Sequence, residues 1–145
     1  MSFKGKVAVL PCTGIGQVVG TIARQAAYRV VEDLRPEATV LLCLPALVRG
    51  VREDLDMVAD CPVVVIEGCK ERCASHALST RGGRPAAVVF IPEAMKGSSL
   101  KIRREARRSL TEAENAVVEL VAGRVAAEVD RLKGGPHEIP QGIHR

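Results

Sequence analysis

The sequence predicts an α/β fold: a small doubly wound parallel sheet of about four strands, with a long C-terminal helix. Three observations predict it. Four short runs are apolar throughout instead of alternating, as in strands buried on both faces of a parallel sheet. Each run is closed by a proline or a glycine, and helix-spaced stretches lie between them. The chain of 145 residues carries 20 valines against two Phe, one Tyr and no Trp, an aliphatic bias that buried strands explain.

Lys6-Val7-Ala8-Val9-Leu10 is the first strand, closed by Pro11. A turn with Gly14, Gly16 and Gly20 follows, and Gln17 to Leu34 runs as a helix that ends before Pro36. Thr39 to Leu44 is the second strand, stopped by Pro45. Ala46 to Ala59 places Leu47, Val48, Val51, Leu55 and Val58 at helical spacing. Pro62 to Ile66 is the third strand, closed by Glu67-Gly68, and Lys70 to Ser79 is a short helix ending at Gly82-Gly83. Ala86 to Ile91 is the fourth strand, ended by Pro92, with a less regular stretch from Glu93 to Ser99. Thr111 and Glu114 have the form of a capping box. They start a helix to about Lys133 that buries Val117, Leu120, Val121, Val125, Val129 and Leu132. Four βα units in series with right-handed crossovers give the flavodoxin-like strand order 2-1-3-4 as the simplest arrangement.

The length corresponds to one domain over residues 1–133, burying roughly two-thirds of its unfolded surface, and residues 134–145 form a tail without periodicity. Hydrophobic residues at 47% and charged ones at 26% exclude a disordered chain. The scarcity of aromatic rings argues against nucleic acid as a partner, because single strands are stacked on such rings. A net charge of +4 comes largely from Lys101 to Arg108, which reads as a solvated face before it reads as a docking patch for an acidic partner. No apolar run approaches the roughly 20 residues of a membrane span, and Val7 to Leu10 is too short for a signal-peptide core. The expectation is a cytoplasmic protein in a reducing compartment, where cysteines read as metal ligands or catalysts before disulfides.

Ligand sites in an open parallel sheet lie at the carboxyl ends of the strands, near the point where strand order reverses. Cys12 sits just past the first strand, Cys43 at the end of the second and Cys69 just past the third. Cys73 follows four residues later on the same face of the expected short helix. Strands in the order 2-1-3 are neighbours about 4.8 Å apart, so four sulfurs can converge in one crevice. Four thiolates suit zinc, with an iron–sulfur cluster as the competing occupant. Cys61 starts the third strand, on the order of 18 Å from that crevice, and reads as a small buried hydrophobe. His76 could replace one cysteine in a three-sulfur, one-nitrogen site, while His137 and His144 have no assigned role.

The turn at Gly14 and Gly16 reads as an anion-binding turn before it reads as a dinucleotide site. A dinucleotide needs an acidic residue at the end of strand two, where Cys43 stands. A cysteine phosphatase needs an arginine where Val18 stands. A competing functional class is a thiol-dependent enzyme for redox or sulfur transfer, with Cys12 or Cys69 as nucleophile and Glu67 or His76 as proton acceptor.

Pro11-Cys12-Thr13-Gly14-Ile15-Gly16, Cys43-Leu44-Pro45 and the stretch from Ile66 through Glu67-Gly68-Cys69 to Cys73-Ala74 resemble motifs of the DGC-domain family of zinc-binding proteins, over roughly residues 4 to 92. The family is named for Asp-Gly-Cys, and Glu67 stands in the Asp place, keeping the carboxylate on a longer arm. The resemblance implies a small metal-handling or regulatory protein with Cys12, Cys43, Cys69 and Cys73 as its ligands.

Overall fold

The four apolar runs form β1 (Val7–Pro11), β2 (Thr39–Leu41), β3 (Val63–Glu67) and β4 (Ala87–Phe90) in a computed structural model that describes residues 2–105 and 107–135. All pairings are parallel and the order is 2-1-3-4, as expected. Val9 stands beside Leu41 on one side and Val64 on the other, and Pro11 beside Ile66, so the carboxyl ends of the two inner strands, β1 and β3, are nearly level and the edge strand β2 stops two residues earlier. The pleat sends alternate residues to opposite faces. Val7, Val9, Val64, Ile66 and Val89 enter one apolar cluster, and Ala8, Leu10, Val63 and Val65 enter another.

The first cluster is covered by α1 (Val18–Tyr28) and α6 (Glu112–Leu132); the second by α2 (Leu44–Arg49), α3 (Arg52–Asp60) and α4 (Cys73–Ser79), with α5 (Ile91–Met95) following β4. The helix expected to reach Leu34 does so, but its last six residues, Arg29–Leu34, widen into a π-helix, where the Arg35 N–H reaches the Val30 carbonyl at 2.7 Å. Thr111 and Glu114 cap α6 as the sequence predicts, and Val117, Val121, Val125 and Val129 are buried. Leu120 and Leu132 are only partly covered, and Val118 takes a buried place instead.

Four boundaries differ, each for a local reason. The helix expected over 46–59 is broken at Gly50, whose φ of 85° ends α2, and the Arg81 guanidinium donates to the Leu47 carbonyl there at 3.0 Å. A Cβ at Gly50 would lie 2.9 Å from the Arg81 guanidinium, the far end of a flexible side chain that can give way, so it is the positive φ that calls for glycine. Pro45 and Pro92 open helices, each in a first turn where a missing N–H costs nothing. The second strand therefore stops at Leu41, and residues 91–95 are helical although the sequence reads partly as irregular. Finally, α4 begins at Cys73 and not at Lys70, because Arg72 adopts a left-handed φ of 50°.

Among the described residues no helix is long and apolar enough to cross a membrane. The expected tail lies outside the described residues from residue 136, and His137 and His144 with it. Part of the basic run serves the fold: Arg103 pairs at 2.9 Å with Glu114, which is completely buried. That guanidinium, with the Thr111 amide and hydroxyl, holds the Glu114 carboxyl down to about 2 against the opposing effect of burial.

Candidate metal centre

A cavity of about 410 Å³ opens at the carboxyl edge of the sheet. Cys12 reaches it from the end of β1, and Cys69 and Cys73 from the segment after β3. Two glycines make this convergence sterically possible. A Cβ on Gly68 would lie 2.8 Å from a Val19 methyl carbon, so only glycine lets the chain leave β3 directly beneath α1. The Gly68 N–H then donates to Cys12 Sγ at 3.1 Å, tying the two strand ends together through a sulfur. Gly20 lies so close to the glycine turn that a Cβ there would stand 1.9 Å from the Gly14 carbonyl oxygen. The third glycine of the turn is thereby explained by backbone approach, with no nucleotide required.

Glu67 is fully buried at the end of β3. Its Oε2 accepts the Ser75 N–H at 2.8 Å and its Oε1 the Ala74 N–H at 3.3 Å. The carboxylate thus satisfies the open amides in the first turn of α4, work that a capping side chain does elsewhere. It aligns the helix that carries Cys73 with the strand that precedes Cys69. Both oxygens are engaged in this way, whereas the sequence suggests Glu67 as a proton acceptor.

The remaining sequence-predicted residues fall in different places. Gly14 and Gly16 line the cavity, and the Gly16 carbonyl accepts the Arg107 guanidinium at 2.9 Å. The Thr21 hydroxyl donates to the Arg107 carbonyl, so the basic run is strapped across the start of α1. Cys43 is exposed at the start of α2, its N–H held by Asp54 at 2.9 Å; the next residue, Leu44, lines the cavity, and Cys43 stays outside that lining. Cys69 and Cys73 do not share a helix face, since the left-handed Arg72 separates a turn from the helix proper. They flank that turn instead and still line the same cavity. His76 is exposed on α4 and does not line it. Cys61 is completely buried at the other end of β3, with its thiol donating to the Phe3 carbonyl at 3.2 Å.

The donor set has the chemistry of a soft metal site: three sulfurs and no competing amine. Burial pushes the Cys12 thiol up to about 11, against the Gly68 N–H, and negative charge on Glu67, Cys69 and Cys73 pushes the same way as burial. A cation bound through the Cys12 sulfur therefore displaces a proton from it. Among the described residues no three His, Cys, Asp or Glu side chains already close on a metal position. Closing Cys12, Cys69 and Cys73 on an ion requires a rearrangement of a site in which Cys73 is exposed and Cys69 half-buried. In that sense the residues present fit a thiolate-bound metal.

Sequence reasoning misses three residues that shape the site. Arg72 lines the cavity with its guanidinium 4.8 Å from the centre of the Phe90 ring. Asp54 fixes the Cys43 backbone across 11 residues, and only its amphipathic position on α3 hints at a buried role. Gly68 is visible in the motif, but its contact with Val19 requires the fold. A family model for the DGC domain matches residues 8–121, well over half of the chain. No curated protein and no solved structure matches it.

Proposed function

Because the chain belongs to the DGC-domain family, we propose that it is a small metal-binding protein whose zinc is held by Cys12, Cys69 and Cys73, with Cys43 as the further ligand implied by the sequence. The observation that carries this reading is the shared cavity, which three cysteines from two strand ends line together. When bound, zinc supplies a divalent charge that compensates the thiolates and can act as a Lewis acid. The chain's own contribution is to place Cys12 on the Gly68 amide and to hold α4 in position through Glu67. An iron–sulfur cluster satisfies the same donors and is distinguished by colour. The competing thiol-enzyme reading, with Cys12 or Cys69 as nucleophile, has less support at Cys12, where burial pushes the thiol up to about 11 and disfavours the thiolate that a nucleophile needs. The cytoplasm, where thiols stay reduced, is the compartment that suits such a site.

Elemental analysis of protein purified without chelator tests the proposal. One zinc per chain is expected, and a Cys69→Ser, Cys73→Ser double variant should contain none; undiminished zinc in that variant overturns the reading. Chelation should lower the melting temperature without unfolding the chain. Two apolar clusters hold the sheet independently of the site, unlike a zinc finger.

A further inference from the structure

The net charge of the chain is concentrated in one place. Lys101, Arg103, Arg104, Arg107 and Arg108 stand against Glu105 alone, a surplus equal to the +4 of all 145 residues. Elsewhere on the surface arginines face carboxylates, as Arg29 does Glu119 and Arg35 does Asp130. In this stretch Arg103 does so, on the buried Glu114. Among the described residues Lys101, Arg104, Arg107 and Arg108 pair with no carboxylate, and all four are exposed. The charge is also held in place. Leu100, Ile102 and Leu110 pack on the apolar cluster that α1 and α6 share. Between them the Thr21 hydroxyl holds the Arg107 carbonyl, and Arg107 Nε donates to the Gly16 carbonyl at 2.9 Å. That carbonyl is neutral, so the guanidinium charge stays uncompensated. A strap anchored in this way has little ordering left to lose on binding. Its neighbourhood is not purely polar. Ile15, next to Gly16, is 86% exposed, and Arg24 stands exposed on α1 one turn beyond Thr21.

We infer that this strap, with Ile15 beside it, is a docking surface for an acidic segment of another protein. Carboxylates of that segment meet Arg104, Arg107 and Arg108, and an apolar side chain covers Ile15. Charge complementarity carries the class of partner, because the remainder of the chain is formally neutral and the strap alone steers an anion to this side. A single-stranded nucleic acid needs rings on which to stack its bases, and none adjoins the strap. Phe3 is buried, Phe90 lies under Arg72, and Tyr28 is at the far end of α1. A membrane surface needs a broad apolar face, whereas Ile15 offers one side chain. This surface is independent of any metal at the cysteines.

The test is fluorescence anisotropy of the full chain with a labelled peptide in which pairs of glutamates alternate with leucine. Binding should saturate and should weaken as salt is raised, because exposed charges are screened. Arg104→Gln together with Arg108→Gln should weaken it about fivefold, the effect of two exposed ion pairs. Neither side chain makes a hydrogen bond or ion pair among the described residues, so the fold should survive the change. Arg104→Lys together with Arg108→Lys should retain binding. Ile15→Ser should weaken the leucine peptide about threefold and leave unchanged a peptide with serine in place of leucine. Absent binding, undiminished binding by the glutamine variant, or equal responses of the two peptides to Ile15→Ser overturns the inference. So does tighter binding of a labelled oligouridine strand or of phosphatidylserine vesicles, which would assign the strap to nucleic acid or to membrane.

Discussion

Cys12 and Cys61 stand at opposite edges of the same sheet and show what each edge is for. At the amino edge, Cys61 is enclosed among Phe3, Leu55 and Val63 and spends its hydrogen on the Phe3 carbonyl. At the carboxyl edge, Cys12 is half buried against a cavity and accepts a hydrogen bond instead of giving one. Burial raises both thiols, Cys61 to about 12 and Cys12 to about 11. The difference lies in the surroundings. Other sulfurs share a cavity with Cys12, whereas Cys61 lies in an apolar cluster, its thiol on the Phe3 carbonyl, with only the charges of Asp60 and Lys6 acting on it in opposite directions. Two chemically identical side chains are thereby placed, one in the core and one at a cavity, by the end of the strand at which each lies.

The sharpest way to break this comparison is to delete each sulfur and measure bound metal. Cys12→Ala should abolish zinc binding, while Cys61→Ala should leave the zinc content unchanged; equal losses would dissolve the distinction. The next effect concerns the scaffold of the carboxyl edge. Glu67→Ala leaves the Ala74 and Ser75 amides without their carboxylate, and should lower urea-measured stability by about 3 kcal/mol. A loss no larger than that of an exposed residue would mean that α4 is positioned by packing alone.

A smaller effect sharpens the comparison through pH in the metal-free chain. An unfolded cysteine ionises near 9, while the folded Cys61 stays protonated to about 12. Above pH 9 the unfolded state therefore holds fewer protons, and stability must fall as pH rises toward 12. The slope from Cys61 is up to about 1.4 kcal/mol per pH unit, and the Cys61→Ala variant should have a shallower slope in urea titrations between pH 9 and 11. The smallest effect is on stability at neutral pH, where Cys61→Ala should cost about 1–2 kcal/mol by emptying a buried volume.

Much of this arrangement is legible in the sequence because strand signals here are short-range. An apolar run such as Val63-Val64-Val65-Ile66 needs both faces covered, and that need dictates a parallel sheet with helices on either side. The capping box at Thr111 and Glu114 is equally local. The breaks are not. Gly50 sits inside a helical pattern, and the Arg81 that binds the end of α2 beside it arrives from 31 positions away. Arg72 gives no composition signal for a left-handed turn, so the start of α4 and the relation of Cys69 to Cys73 are misread. The convergence of Cys12, Cys69 and Cys73 follows from topology and is visible in advance. The place of Cys43 is not, because it depends on Pro45 beginning a helix immediately after a three-residue strand.

All five cysteines lie between residues 12 and 73, which invites a shortened fragment for metal studies. The contact of Arg107 with Gly16 and Thr21 argues against taking one. A fragment ending after β4 would keep every sulfur and still lose the clasp over the glycine turn, together with α6, which shares with α1 the cover of one face of the sheet. Its metal affinity would then report an unsheathed, loosened rim. The smallest faithful specimen of this site is therefore nearly the entire polypeptide.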